Sequence, residues 1–207
     1  MTAGNLFTRV EIILADRRNA MKKLKTLTAA SVVGLSLIGG IYPLEARTIQ
    51  YRELSTGSFH DTAIDTNGDT IPATLSLLSG KTSVGWMTGE TLGEFRPLGP
   101  QDTPTGECAA GTFEFTLVNG VGINRFDDGS ILVLAPTFSV LCLDPRTGTG
   151  VFINRGAFQS WGSTKRFEGV SGSWETRGTA VGLVVGPNGA AVAGTINFEL
   201  KGTLLVP

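Results

Sequence analysis

Residues 111–118, GTFEFTLV, alternate strictly. Phe113, Phe115 and Leu117 fall on one face, and Glu114 and Thr116 on the other. A period of two is the signature of a half-buried β-strand. Residues 195–202, TINFELKG, repeat it: Ile196, Phe198 and Leu200 alternate with Asn197, Glu199 and Lys201. Residues 130–143, SILVLAPTFSVLCL, are almost continuously apolar. They predict a strand covered in part on both faces, with Pro136 marking a break or bulge. VFINRGAFQSW (151–161) and TAVGLVV (179–185) predict two more strands. The stretches between carry turn chemistry: DDGS at 127–130, DPRTGTG at 144–150 and GPNG at 186–189. Residues 79–107 are irregular and rich in Gly, Pro and Thr, which predicts a strand or two and a long loop. No pattern supports a helix longer than a turn or two, and no internal repeat is evident. Short strands joined by tight turns describe an antiparallel sandwich or barrel.

Composition agrees. The chain has 207 residues, 28 of them glycine, and only 17% are charged. That balance favours an all-β protein with many turns. The N-terminus follows a different rule. MKKLK (21–25) is basic, Thr26 to Leu44 carry no charge, and LEA (44–46) ends in a small residue. This is the pattern of a secretory signal, with cleavage expected between Ala46 and Arg47. A transmembrane anchor fits less well, because Thr, Ser and Gly dilute the apolar stretch and no basic cluster follows it. Three segments are therefore expected: an upstream extension at 1–20 outside the fold, a signal peptide at 21–46, and one domain at 47–207. Translation starting at Met21 is the simplest account of residues 1–20, and a long basic leader is the alternative.

The expected mature chain carries 11 Lys/Arg and 15 Asp/Glu, a net charge of −4. Without a basic patch, nucleic acid is not an expected partner. Without a basic amphipathic stretch, neither is a membrane surface once the signal is removed. Cys108 and Cys142 are the two cysteines. An even count in an exported protein is read as a disulfide, and two buried thiols are the alternative. No CxxC or Cys/His cluster points to zinc.

Candidate chemistry is sparse. DTNGDTIPATLS, from Asp65, matches an EF-hand loop at Asp65, Asn67 and Asp69. It fails where glycine and a bidentate glutamate are needed, at Thr70 and Ser76, so an Asx-rich turn is expected and no metal. His60 is the one histidine, beside Asp61, and any nucleophile–His–acid arrangement must use it. Glu53, Asp61, Asp65, Asp69, Glu90, Glu94, Asp127 and Asp128 are available for paired-carboxylate glycoside chemistry, although Asp127-Asp128 reads more simply as a hairpin turn. Trp86, Trp161 and Trp174 are candidates for a sugar platform or for core. The glycine-rich 162–178, GSTKRFEGVSGSWETRG, lacks both phosphate-loop fingerprints.

That same stretch carries a resemblance. STKRFEGVSGSWETRGT, followed by GTINFELKGTL, resembles the C-terminal signature of the allene oxide cyclase and dirigent proteins. Phe167, Glu168, Gly169, Val170 and Gly172 match its first element. Phe198, Leu200, Lys201 and Gly202 match its second. The resemblance spans roughly residues 160–205. It implies an all-β, eight-stranded antiparallel barrel with an apolar interior, little helix outside the signal peptide, no cofactor, and a trimer. It also implies catalysis by holding a reactive molecule in one conformation. Glu53 is the nearest counterpart of the cyclases' acidic group.

The function expected from these observations is an exported β-barrel that binds a small apolar or amphipathic molecule, with a cofactor-free isomerase or cyclase activity in view. The ligand-facing candidates are Phe113, Phe115, Ile196, Phe198 and Leu200. The catalytic candidates are Glu53, His60 and Asp61. Two alternatives stand beside it: a filled barrel acting as an interaction module, and a carbohydrate-active protein. The interior separates them. A cavity of a few hundred cubic ångströms with one or two polar groups favours the ligand binder.

Overall fold

The computed structural model describes residues 46–66, 68, 70–185 and 191–207. Eight strands follow one another along the chain: β1 (Arg47–Asp61), β2 (Thr74–Thr82), β3 (Gly85–Pro97), β4 (Phe113–Phe126), β5 (Ile131–Asp144), β6 (Thr149–Thr164), β7 (Ser171–Val185) and β8 (Ala191–Val206). Each pairs antiparallel with the next. β1 then pairs with β8, from Arg47 opposite Val206 to His60 opposite Ala193, and closes the barrel. Among the described residues the only helix is a single 3-10 turn, Lys165–Phe167. The strands predicted at 151–161, 179–185 and 195–202 lie within these elements, while those predicted at 111–118 and 130–143 start two residues and one residue before β4 and β5. The irregular 79–107 resolves into the end of β2, all of β3 and part of the loop that follows. The proposed cleavage point, Ala46–Arg47, coincides with the start of β1, while residues 1–45 lie outside the described residues.

Among the described residues the strand pairing shifts register at five points, and two of them set which side chains of β4 and β5 face inward. Between β3 and β4, Glu94 opposes Asn119 while Phe95 opposes Leu117, so Val118 is an extra residue. Between β5 and β6, Pro136 opposes Gly156 while Phe138 opposes Arg155, so Thr137 is extra. An extra residue exchanges the two faces of a strand beyond it. In β4 the inward set passes from Phe115 to Gly122, Asn124 and Phe126. In β5 it passes from Leu132 and Leu134 to Ser139 and Leu141. The break expected at Pro136 is this second bulge.

The barrel is filled at one end. Tyr51, Met87, Phe126, Leu132, Phe158, Phe167, Trp174 and Leu204 form a continuous core there. Phe167, from the 3-10 turn that joins β6 to β7, is 1% exposed and seals that end, with the Arg166 guanidinium 4.9 Å above its ring. The glycine-rich stretch is thus a turn followed by a strand. Gly172 shows why glycine is needed there: φ is +126°, and a Cβ would stand 1.9 Å from the Thr203 carbonyl oxygen.

A second, smaller core lies outside the barrel. Past its bulge, β5 turns Val140 and Cys142 outward, where they pack with Ile153 of β6 and with Cys108 and Phe138. Cys108 and Cys142 form a disulfide, with sulfurs 2.03 Å apart, that ties the 98–112 loop to β5. Burial on both faces explains the continuous apolar run at 130–143.

Candidate functional site

The opposite half of the barrel is hollow. An inner chamber of about 130 Å³ reaches down to Glu53, Asn124, Leu134, Trp174 and Leu200. An outer chamber of about 270 Å³ adjoins it and is lined by Phe59, Asp61, Phe95, Phe115, Phe152 and Phe198 among others. The two share eight walls, among them Ser76, Thr91, Phe95, Asn154, Thr176 and Phe198, and so form one lumen.

β1 supplies its polar axis. A strand sends alternate residues to one face, and the inward row here is Tyr51, Glu53, Ser55, Phe59 and Asp61. Tyr51, Glu53 and Ser55 are therefore neighbours on one wall. The Tyr51 hydroxyl donates to Glu53 Oε2 at 3.0 Å, and the Ser55 hydroxyl to Oε1 at 2.8 Å. Asn124 of β4 donates to Oε2 at 2.8 Å from another wall. Gly89 of β3 leaves room for that reach, since a Cβ there would come within 2.9 Å of Asn124 Oδ1. Glu53 is 1% exposed. Burial raises the affinity of its carboxyl for a proton, and the bonds from Ser55, Tyr51 and Asn124 partly oppose that rise. Burial, with the negative charge on Glu53, drives the Tyr51 phenol well above its ordinary range. This end of the lumen therefore holds a buried, hydrogen-bonded carboxyl whose affinity for a proton is raised. Trp174 also lines the inner chamber, and its indole N–H is buried without a partner among the described residues.

Asp61 stands in the outer chamber. Thr74 of β2 donates to its Oδ1 at 2.8 Å. Partial burial raises its pKa, against the opposing effects of Thr74 and neighbouring His60. Beside it, Thr70, Ile71 and Pro72 of the β1–β2 loop also line the lumen. Thr66 ties that loop to β3 through Glu94, its backbone N–H donating to Oε1 at 2.5 Å and its hydroxyl donating to the same oxygen. Asp65 binds the Gly68 and Thr70 backbone N–H groups at 2.6 and 2.8 Å, an Asx-type turn. Asn67 and Asp69 lie outside the described residues, and Ser76 is a lumen wall.

Of the residues singled out from sequence, the lumen gathers Glu53, Asp61, Phe115, Ile196, Phe198 and Leu200. Phe113 does not join them. It shares the face of Phe115 but lies beyond Pro97, the last residue of β3 paired with β4, and is 56% exposed. His60 is exposed on the outer side of β1 and does not line the lumen. Trp174 is core, whereas Trp86 and Trp161 are 62% and 52% exposed, so the three form no common platform. Nor do the lumen's carboxyls form a glycosidase pair. Glu53 and Asp61 are eight residues apart on one strand, about 26 Å along it, and such pairs stand within about 10 Å. Asp127 and Asp128 occupy the β4–β5 turn as expected, at the filled end.

Tyr51, Ser55 and Asn124 carried no signal in the sequence that marked them as site residues. Their roles come from the strand pairing that closes the barrel and from the β4 bulge.

No family model, curated protein or solved structure matches this chain. Among the described residues, no helix is long and apolar enough to cross a membrane, and the disulfide is compatible with an exported protein.

Proposed function

We propose that this protein is an exported barrel of the allene oxide cyclase/dirigent type that binds a small apolar or amphipathic molecule in its lumen. The observation that carries the reading is the half-hollow interior: an apolar, phenyl-lined chamber continuous with a deeper one that ends on a buried, hydrogen-bonded carboxyl. A barrel built only as a scaffold gains stability by filling that space, since each void loses packing contacts. The C-terminal resemblance supports the same reading, because it places a ligand inside a barrel of this size.

A cofactor-free isomerase or cyclase is the activity the site would serve. Held near Glu53, a substrate meets a buried polar group in an otherwise apolar pocket, with walls that restrict its conformation. The interaction-module alternative rests on the exposed Leu54 and Trp86 on the outer wall.

Native mass spectrometry of protein purified from its source tests the reading. An apolar or amphipathic adduct that is retained on gentle desolvation and lost on unfolding is the expected result. Adduct-free spectra from repeated preparations would favour the interaction module.

A further inference from the structure

The charge of the lumen narrows the class of ligand, on the premise that the lumen binds one at all. Among the described residues, its only ionisable walls are two carboxyls, Glu53 at the inner end and Asp61 at the outer. None of the described lysines, arginines or histidines lines either chamber. An anion drawn into such a space would give up its hydration and find no cation in return.

The two carboxyls are not equivalent. Both oxygens of Glu53 are engaged by donors from within the protein. Asp61 accepts one bond, from Thr74, on Oδ1. No described residue hydrogen-bonds its Oδ2. Asp61 stands where the phenyl rings gather: Phe59 on its own strand, then Phe95, Phe115, Phe152 and Phe198 around the outer chamber. Phe152 and Phe198 meet edge to face, with centroids 6.0 Å apart. A carboxylate among aromatic faces is the chemistry that receives an organic cation, through one charge-assisted bond and several ring contacts. His60, the preceding residue, projects from the outer side of β1 and away from the lumen. Below this level the walls include Leu92, Leu117 and Leu134, suited to an apolar body.

We infer that the lumen takes a cationic amphiphile, an amine or quaternary ammonium compound, with its head against Asp61 and its apolar body directed towards Glu53. The inference rests on the ligand-binding reading above and specifies it.

Three probes with one eight-carbon chain test it by isothermal titration of the purified protein at neutral pH: octylammonium, octan-1-ol and octanoate. Octylammonium is expected to bind at least about tenfold more tightly than octanoate. In Asp61→Asn that preference should disappear while octan-1-ol binds as before. In Asp61→Glu it should survive. Octanoate binding as tightly as octylammonium, or an undiminished preference in Asp61→Asn, would overturn the inference while leaving a ligand-binding lumen. Failure of all three probes to bind would overturn the lumen reading and this inference with it.

Discussion

Asn124 Nδ2 stands 2.8 Å from Glu53 Oε2, across 71 residues of sequence. Their strands, β4 and β1, are not neighbours in the sheet. The bond therefore crosses the barrel interior and separates the filled end from the hollow one. It also satisfies a carboxyl that would otherwise be expensive to bury.

The Glu53 carboxyl sets a pH dependence. Its pKa in the folded protein lies above the ordinary 4.5. As pH rises through the window between those values, the unfolded chain loses its proton first, and stability falls. Asp61 acts in the same direction from its ordinary 3.8. Glu53→Gln should flatten the fall above pH 4.5 and gain on the wild type as pH increases. Urea midpoints measured from pH 4 to 8 check this, and parallel curves for the two proteins would refute it.

Removing the crossing donor should cost stability directly. Asn124→Ala leaves Glu53 Oε2 with only the Tyr51 hydroxyl and is expected to destabilise by about 2 kcal/mol. Chemical denaturation of the variant beside Gly89→Ala distinguishes the lost bond from simple crowding: the glycine variant keeps Asn124 but displaces it.

The seal at the filled end is a single ring. Phe167→Ala should cost about 3–5 kcal/mol, since the ring is fully buried in the main core. A thermal transition unchanged by the substitution would show that the 3-10 turn does not close the barrel.

The disulfide closes a 34-residue separation. Cys108→Ser with Cys142→Ser should lower stability by about 3–4 kcal/mol through the freedom returned to the unfolded chain. The loss should appear in urea midpoints, and reducing agent should reproduce it in the wild type.

Filling the lumen should separate binding from folding. Ser76 walls both chambers. Ser76→Phe is expected to abolish uptake of small molecules at a stability cost of about 1–3 kcal/mol from crowding. Titration alongside circular dichroism gives both readings, and undiminished uptake by a folded variant would place the ligand elsewhere.

Much of this architecture was legible along the chain. Period-two alternation marked 111–118 and 195–202, turn residues punctuated the strands, and the two cysteines were correctly paired. The doubly apolar run at 130–143 announced burial on both faces. These are local properties, and side-chain alternation with turn chemistry encodes them directly. What covers each face is not local. Extrapolating the alternation of Phe113, Phe115 and Leu117 along β4 would send Ile123 and Arg125 inward. One extra residue at Val118 reverses this and delivers Asn124 to Glu53. Phe113 has the right parity but starts beyond the end of its neighbouring strand, so it lies outside the lumen. The sequence by itself determined strands, turns and the covalent tie. Closure of the sheet and the register at two bulges decided which polar groups meet inside, because a shift of one residue changes no composition yet exchanges every inner side chain for an outer one.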